Sequence, residues 1–232
     1  MSSTLGPIHY LMYEKIKFQD RLTAALLDQD ELAALNAVLP PVPTAALDEI
    51  IDQANIHGFL STQIEEVEGR LAFAIAHGSD NLARAFACGA ACAPTEHFNG
   101  ADELFQQING IILDGMPCDM ALTGSLTPEG DLLLATNIDT HSKFAADPLL
   151  VDLASARQVT CEGNHDHDDH RNFHLQQGKV SGCTEDGDAT AADPHNFYDV
   201  RTALLNGFLS HSHYRAIRQG KNILIKAADA AK

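Results

Sequence analysis

Residues 44–78 read TAALDEIIDQANIHGFLSTQIEEVEGRLAFAIAHG, the longest stretch of the chain in which apolar side chains recur at helical spacing. Prolines 40, 41 and 43 stand just before it, and His77-Gly78 closes it. The spacing predicts helix from Ala45 to about Ala76. Gly58 weakens the middle, because glycine loses the most backbone freedom on becoming helical, so a bend is expected there.

Toward the N-terminus, Pro7 suits a first helical turn. Ile8, Leu11, Met12, Ile16, Leu22 and Leu26 then form an apolar stripe to about Leu27, with Lys15, Lys17 and Arg21 away from its centre. Asp30 is positioned to cap a short helix over 31–38, which Leu39-Pro40-Pro41-Val42-Pro43 ends. Toward the C-terminus, Ser79 introduces a helix over 80–91 and Asn99-Gly100 another over 101–113, with Gly115 as its C-terminal cap. The character changes at 120–139, MALTGSLTPEGDLLLATNID, which reads as strand, turn and strand with the turn at Pro128–Asp131. A short helix over 147–156, a short strand over 158–161, a last helix over 197–209 and a strand over 222–226 complete the reading. Between them, 162–195 is polar, acidic and rich in histidine, without period, and reads as a long loop.

The fold class is therefore mainly α. A helical bundle is expected over 1–116. A small β-hairpin, a long acidic His-rich loop and a helix packing back on the bundle are expected over 117–232, the whole making one compact unit. The length suits that, and the apolar share, 45% of 232 residues, suffices for a core.

The formal charge of −17, from 32 acidic against 15 basic residues, repels phosphate backbones and anionic lipid, so nucleic acid and membrane are not expected partners. No apolar run reaches the roughly 18 residues of a spanning helix, and the N-terminus lacks the basic start and apolar block of a secretory leader. Five cysteines, an odd number without framework spacing, read as reduced thiols of a cytoplasmic protein. A homo-oligomer is the partner the sequence leaves open.

Two segments echo each other. Ile8-His9 is followed by Ile16 and Asp20, and Ile56-His57 by Ile64 and Glu68, so each histidine precedes a carboxylate by 11 positions. Eleven residues make about three helical turns and bring the two side chains to within about 20° of one face. Antiparallel packing would set His9 beside Glu68 and His57 beside Asp20. Each pair is half a ligand set for zinc, iron or manganese. Glu14, Gln19, Glu65, His97, Asp114 and Cys118 are available to complete one. A histidine on an apolar flank is more often a hydrogen-bonded core residue than a ligand, and the same reading applies to both.

A second concentration lies in CEGNHDHDDHRNFH, where Cys161, His165, His167, His170 and His174 alternate with Asp166, Asp168 and Asp169. Imidazole and thiolate suit zinc and nickel, and neighbouring carboxylates would orient the imidazoles. Within it, Gly163-Asn164-His165-Asp166 resembles the metal-ligating block of calcineurin-like metallophosphoesterases. Asp139-Thr140-His141, after the run LLLATNI, is similar to that family's Asp-x-His, and His211-Ser212-His213 to its closing Gly-His-x-His, with Ser210 in place of the glycine. The resemblance implies two metals held by Asp139, His141, Asn164, His165, His211 and His213, activating a water. The chain departs from the family in lacking its Gly-Asp block, with only 21 residues between His141 and Gly163.

Cys88 and Cys92, one turn apart among alanines and Gly89, read as small residues at a close helix contact. Cys118 follows a helix C-terminus, whose negative end disfavours a thiolate nucleophile but not a metal-bound one. Nucleophile-elbow, Walker A and GxGxxG motifs are absent. The expectation is a metal-binding helical protein, a redox or metal-dependent enzyme or a sensor. Its ligands would come from His9, His57, Glu68, Asp20, Cys118, Cys161, His165, His167, His170 and His174. The alternatives are a non-catalytic interaction or structural protein and a degenerate phosphoesterase of the resembled kind.

Overall fold

The computed structural model describes residues 5–95, 98–144, 192–193 and 195–227. Helix α1 (Pro7–Leu26) starts at the proline, with Gly6 as N-cap. Helix α2 (Gln29–Val38) is capped by Asp28, two residues before the Asp30 read from sequence; the Asp28 carboxylate accepts from Glu31 N, and Glu31 returns a bond to Asp28 N. The long helical pattern divides into α3 (Leu47–Ile50) and α4 (Ile56–His77). The break falls before Gly58, because Asn55 caps α4 by accepting from Gly58 N at 3.2 Å. Glycine is suited to that position, since a Cβ there would fall on the Asn55 side chain.

The proline run does more than stop α2. Val42 N donates to Asp20 Oδ2 at 3.0 Å and Tyr13 Oη donates to Pro43 O at 2.7 Å. The segment thus runs back along α1 from its second half toward its beginning, and α4 starts again beside His9. Helices α1 and α4 consequently run parallel. His9 meets His57, Gln19 meets Glu68 and Asp20 meets Arg70, in the same order along both. This corrects the antiparallel arrangement expected from the sequence.

The chain divides into two compact units, each assembled from separated stretches. The first takes its described residues from 5–78, 110–119 and 140–144; the second takes 79–95, 98–109, 120–139, 192–193 and 195–227. In the first unit Met12, Tyr13 and Ile16 of α1 pack with Leu47, Ile56, Leu60, Ile64 and Val67, and Leu113 joins them from far along the chain. Arg70, 1% exposed, ties three segments together. It bonds Asp20 Oδ1 at 2.6 Å, the Leu39 carbonyl, and Asn36 Oδ1 at 2.9 Å.

The second unit holds α5 (Asn81–Ala90), most of α6 (Ala101–Ile111), α7 (Phe197–Phe208) and four strands. Helices α5 and α7 touch at the backbone. A Cβ on Gly89 would lie 2.8 Å from Phe208 N, and one on Gly207 would lie 2.8 Å from Ala90 N. The strands β1 (Leu122–Leu126), β2 (Leu132–Thr136), β3 (Tyr214–Gln219) and β4 (Asn222–Ala227) form an antiparallel sheet in the order β1-β2-β4-β3. The hairpin read over 120–139 is β1–β2, with Leu122 opposite Thr136 and Leu126 opposite Leu132. A second hairpin, β3–β4, turns at Gly220 with φ +62°. Leu132, Leu134, Ile223, Ile225 and Ala216 line one buried face, on which Asn206 of α7 bonds both backbone groups of Ala216. Phe105 of α6 fills the space where Gly124 lacks a Cβ.

Seven α-helices and this small sheet are thus the described architecture. Among the described residues no helix is long and apolar enough to cross a membrane. The expected helix over 147–156, strand over 158–161 and His-rich loop lie outside the described residues, apart from the last few positions of the loop.

Candidate functional site

One polar cluster sits inside the first unit. Glu68 projects from α4 at a buried position, 3% exposed. Its Oε1 accepts from Gln19 Nε2 of α1 at 2.9 Å, and its Oε2 lies 2.7 Å from His141 Nδ1. The other ring nitrogen, Nε2, lies 3.0 Å from Asp114 Oδ1 and 3.4 Å from Thr140 Oγ1. Gln19, Asp114 and His141 are all buried as well. Four stretches of chain meet here.

Local sequence explains how. Asp114 follows the end of α6, and Gly115 takes a left-handed conformation, φ +67°, that turns the chain away. A Cβ at Gly115 would stand 2.8 Å from Asp119 Oδ2 and 3.3 Å from Thr140 Cγ2, so glycine lets Thr140-His141 close on Asp114. The Asp119 carboxylate holds the turn by accepting from Met116 N at 2.9 Å. Beyond His141, the 3₁₀ turn Ser142–Phe144 packs against α4, the helix that carries Glu68.

Burial makes the hydrogen count matter. Each ring nitrogen faces a carboxylate oxygen, so each contact needs a hydrogen between its heavy atoms. Neutral imidazole supplies one. The second belongs to an imidazolium or to a carboxylic acid. With both carboxylates ionised and the ring doubly protonated, the cluster carries one net negative charge among buried side chains. Such a cluster persists only with its lone pairs and hydrogens matched.

The residues singled out from sequence divide among several roles. His9 and His57 do come together, with ring centroids 5.5 Å apart and planes at 89°. But His9 Nδ1 accepts from Gly6 N at 2.9 Å, which leaves the proton of a neutral ring on Nε2. That is a capping role at the start of α1, and it removes one ring nitrogen from ligation. Asp20 spends one oxygen on Arg70 and the other on Val42 N, so it anchors the returning proline segment. Cys118 lies exposed in the 3₁₀ turn Pro117–Asp119, its Sγ 3.6 Å from Asp119 Oδ1. Glu68 is the one first-choice residue of the sequence reading that enters the cluster. From sequence, Gln19 and Asp114 are residues available to complete a ligand set, and His141 enters only through the Asp-x-His resemblance. Cys161, His165, His167, His170 and His174 lie outside the described residues.

Of the other residues the phosphoesterase resemblance singles out, Asp139 pairs with Lys221 at 2.5 Å, and His213 stacks on Tyr214 with centroids 4.2 Å apart. The strand that precedes Asp139 belongs to an antiparallel sheet, where that family's βαβ crossover would place a parallel one. Asn164 lies outside the described residues.

Among the described residues no group of three or more histidine, cysteine, aspartate or glutamate side chains is placed to hold one ion. No family model, no curated protein and no solved structure matches the chain.

Proposed function

We propose that the first unit binds one divalent transition metal ion, zinc, iron or manganese, through His141 Nε2 and Asp114, with Glu68 holding the far side of the imidazole. What carries the reading is a buried ring whose two nitrogens each face a carboxylate. This is the carboxylate–histidine pairing that orients a metal-bound imidazole and raises its basicity. The spacing suits it. Metal–nitrogen and metal–oxygen bonds of about 2.0–2.2 Å span a 3.0 Å separation at an angle of about 90°. A cation there replaces the hydrogen between Nε2 and Asp114 and offsets the buried negative charge. Two protein ligands leave other positions to water or substrate, the open coordination that Lewis-acid or redox chemistry needs.

The test is metal analysis of protein purified without a histidine tag. The expected result is close to one metal per chain, falling in His141→Ala and Asp114→Asn, with affinity about 10–100-fold weaker in Glu68→Gln. Less than about 0.2 metal per chain after gentle purification overturns the reading.

A second reading, a structural or interaction protein without metal, is favoured by one observation. No third ligating side chain converges with Asp114 and His141 among the described residues. In that reading the cluster is a buried ion triad that locks the 140–144 segment to α4. The same variants then lower stability, with no metal to lose.

A further inference from the structure

Among the described strands β1 is an edge of the sheet, the kind of edge that natural proteins usually blunt. Ala121 O accepts from Asn137 N, and Thr127 N donates to Asp131 O. By the alternation of antiparallel pairing, the odd-numbered residues of β1 turn their backbone groups toward β2. Leu122, Gly124 and Leu126 turn theirs outward, where no described strand pairs with them. The strand reads Leu122-Thr123-Gly124-Ser125-Leu126, almost the same in both directions, and 120–128 contains no charged residue. Leu126 is exposed, as are Met120 and Ile138 near the other end of the strand.

We infer that β1 pairs antiparallel with β1 of a second copy of this chain, about a two-fold axis at Gly124. That register sets Leu122 against Leu126 of the second copy, Thr123 against Ser125, and Gly124 against itself. The outward groups of Leu122, Gly124 and Leu126 are the ones such a pair exchanges, so backbone parity and sequence symmetry agree on one centre. Leu–Leu and Thr–Ser pairs are favourable across strands. A two-fold contact also requires a self-complementary surface, which a near-palindromic strand provides.

The other edge, β3, shows the contrast. Pairing it with its own copy about its midpoint would set Arg215 against Arg218, like charges directly opposed. On a chain of net charge −17, the uncharged stretch 120–128 lets two copies approach without opposing like charges along the strand. A five-residue strand pair is small beside a standard interface, so the dimer is weak, concentration-dependent and tightened by salt. The inference does not depend on the metal site.

The experiment combines mass in solution with amide hydrogen exchange on the wild-type chain. The expected mass rises from 25.0 kDa toward twice that value with concentration. In parallel, exchange at Leu122, Gly124 and Leu126 slows by at least about tenfold, while Thr123 and Ser125 are protected throughout. The double variant T123K/S125K, which opposes lysines across the axis, is expected to stay at the mass of one chain. A wild-type mass that never rises overturns the inference. So does a dimer whose Leu122, Gly124 and Leu126 amides exchange freely, or a folded T123K/S125K that dimerises as before.

Discussion

The Tyr13 hydroxyl is buried at the foot of α1 and donates to Pro43 O at 2.7 Å. Burial first, and the neighbouring Glu14 charge second, push its phenol above the ordinary value of 10.0. The folded chain therefore favours the neutral phenol. This contribution is complete below the unfolded value near 10 and is lost as pH rises through the folded one. Urea titrations from pH 8 upward are expected to show an alkaline loss of stability that Tyr13→Phe reduces. The variant gives up about 0.5–1.5 kcal/mol at neutral pH for the missing hydrogen bond. Asp20 acts on the same returning segment with higher stakes, because its partner Arg70 is buried. Asp20→Asn is expected to cost about 3–5 kcal/mol by leaving the guanidinium without its carboxylate, with metal content unchanged. Sequence alone picked out Asp20 and Glu68 as a matched pair. The structure gives them different work, because Asp20 meets Val42 of the proline run and Glu68 meets His141, partners at sequence distances that a helical period does not report.

At the scale of elements, the α5–α7 contact depends on two glycines. A methyl group on either would enter the other helix's backbone, which cannot swing aside as a side-chain end does. Gly89→Ala and Gly207→Ala are each expected to cost about 3 kcal/mol or more in chemical unfolding. Gly110 in α6 is the control, since nothing lies within 4 Å of an added Cβ there. Gly110→Ala should stabilise by about 0.5–1 kcal/mol, because alanine loses less backbone freedom in a helix. Elements whose ends are written in local chemistry were legible from sequence. Pro7 opens α1, and Pro128–Asp131 turns β1 into β2. Less legible were ends set by a short polar contact, such as the Asn55 cap of α4. The strand Tyr214–Gln219 also carries too few apolar residues to show a period of two. The direction of α4 was not readable from periodicity at all. It follows from the backward run of residues 39–43 along α1, which the hydrogen bonds of Val42 N to Asp20 and of Tyr13 to Pro43 O enforce.

At the scale of the whole molecule, the described chain up to residue 144 passes between its two units at 78/79, 109/110, 119/120 and 139/140. Neither unit is a contiguous segment. The first owes its core residue Leu113 and its polar residue Asp114 to a stretch that arrives after the second has contributed α5 and most of α6, and His141 to one that arrives after the β1–β2 hairpin. A fragment of residues 1–78 retains α1 to α4 and the Arg70 anchor, but it leaves Glu68 buried without the imidazole and leaves a hole where Leu113 packs. Filling that hole with water or collapsing around it costs roughly 2–5 kcal/mol, and the unmatched carboxylate adds to the cost, against a typical total stability of about 5–15 kcal/mol. The fragment is therefore expected to keep helical circular dichroism without the cooperative urea transition expected of this unit in the full chain. Replacing Glu68 by Leu within the fragment removes the charge and not the hole, and should recover part of the transition. A fragment that unfolds as sharply as the intact protein would show that the later stretches are guests on a core already complete by residue 78. The Glu68–His141–Asp114 cluster would then have to be explained by function alone.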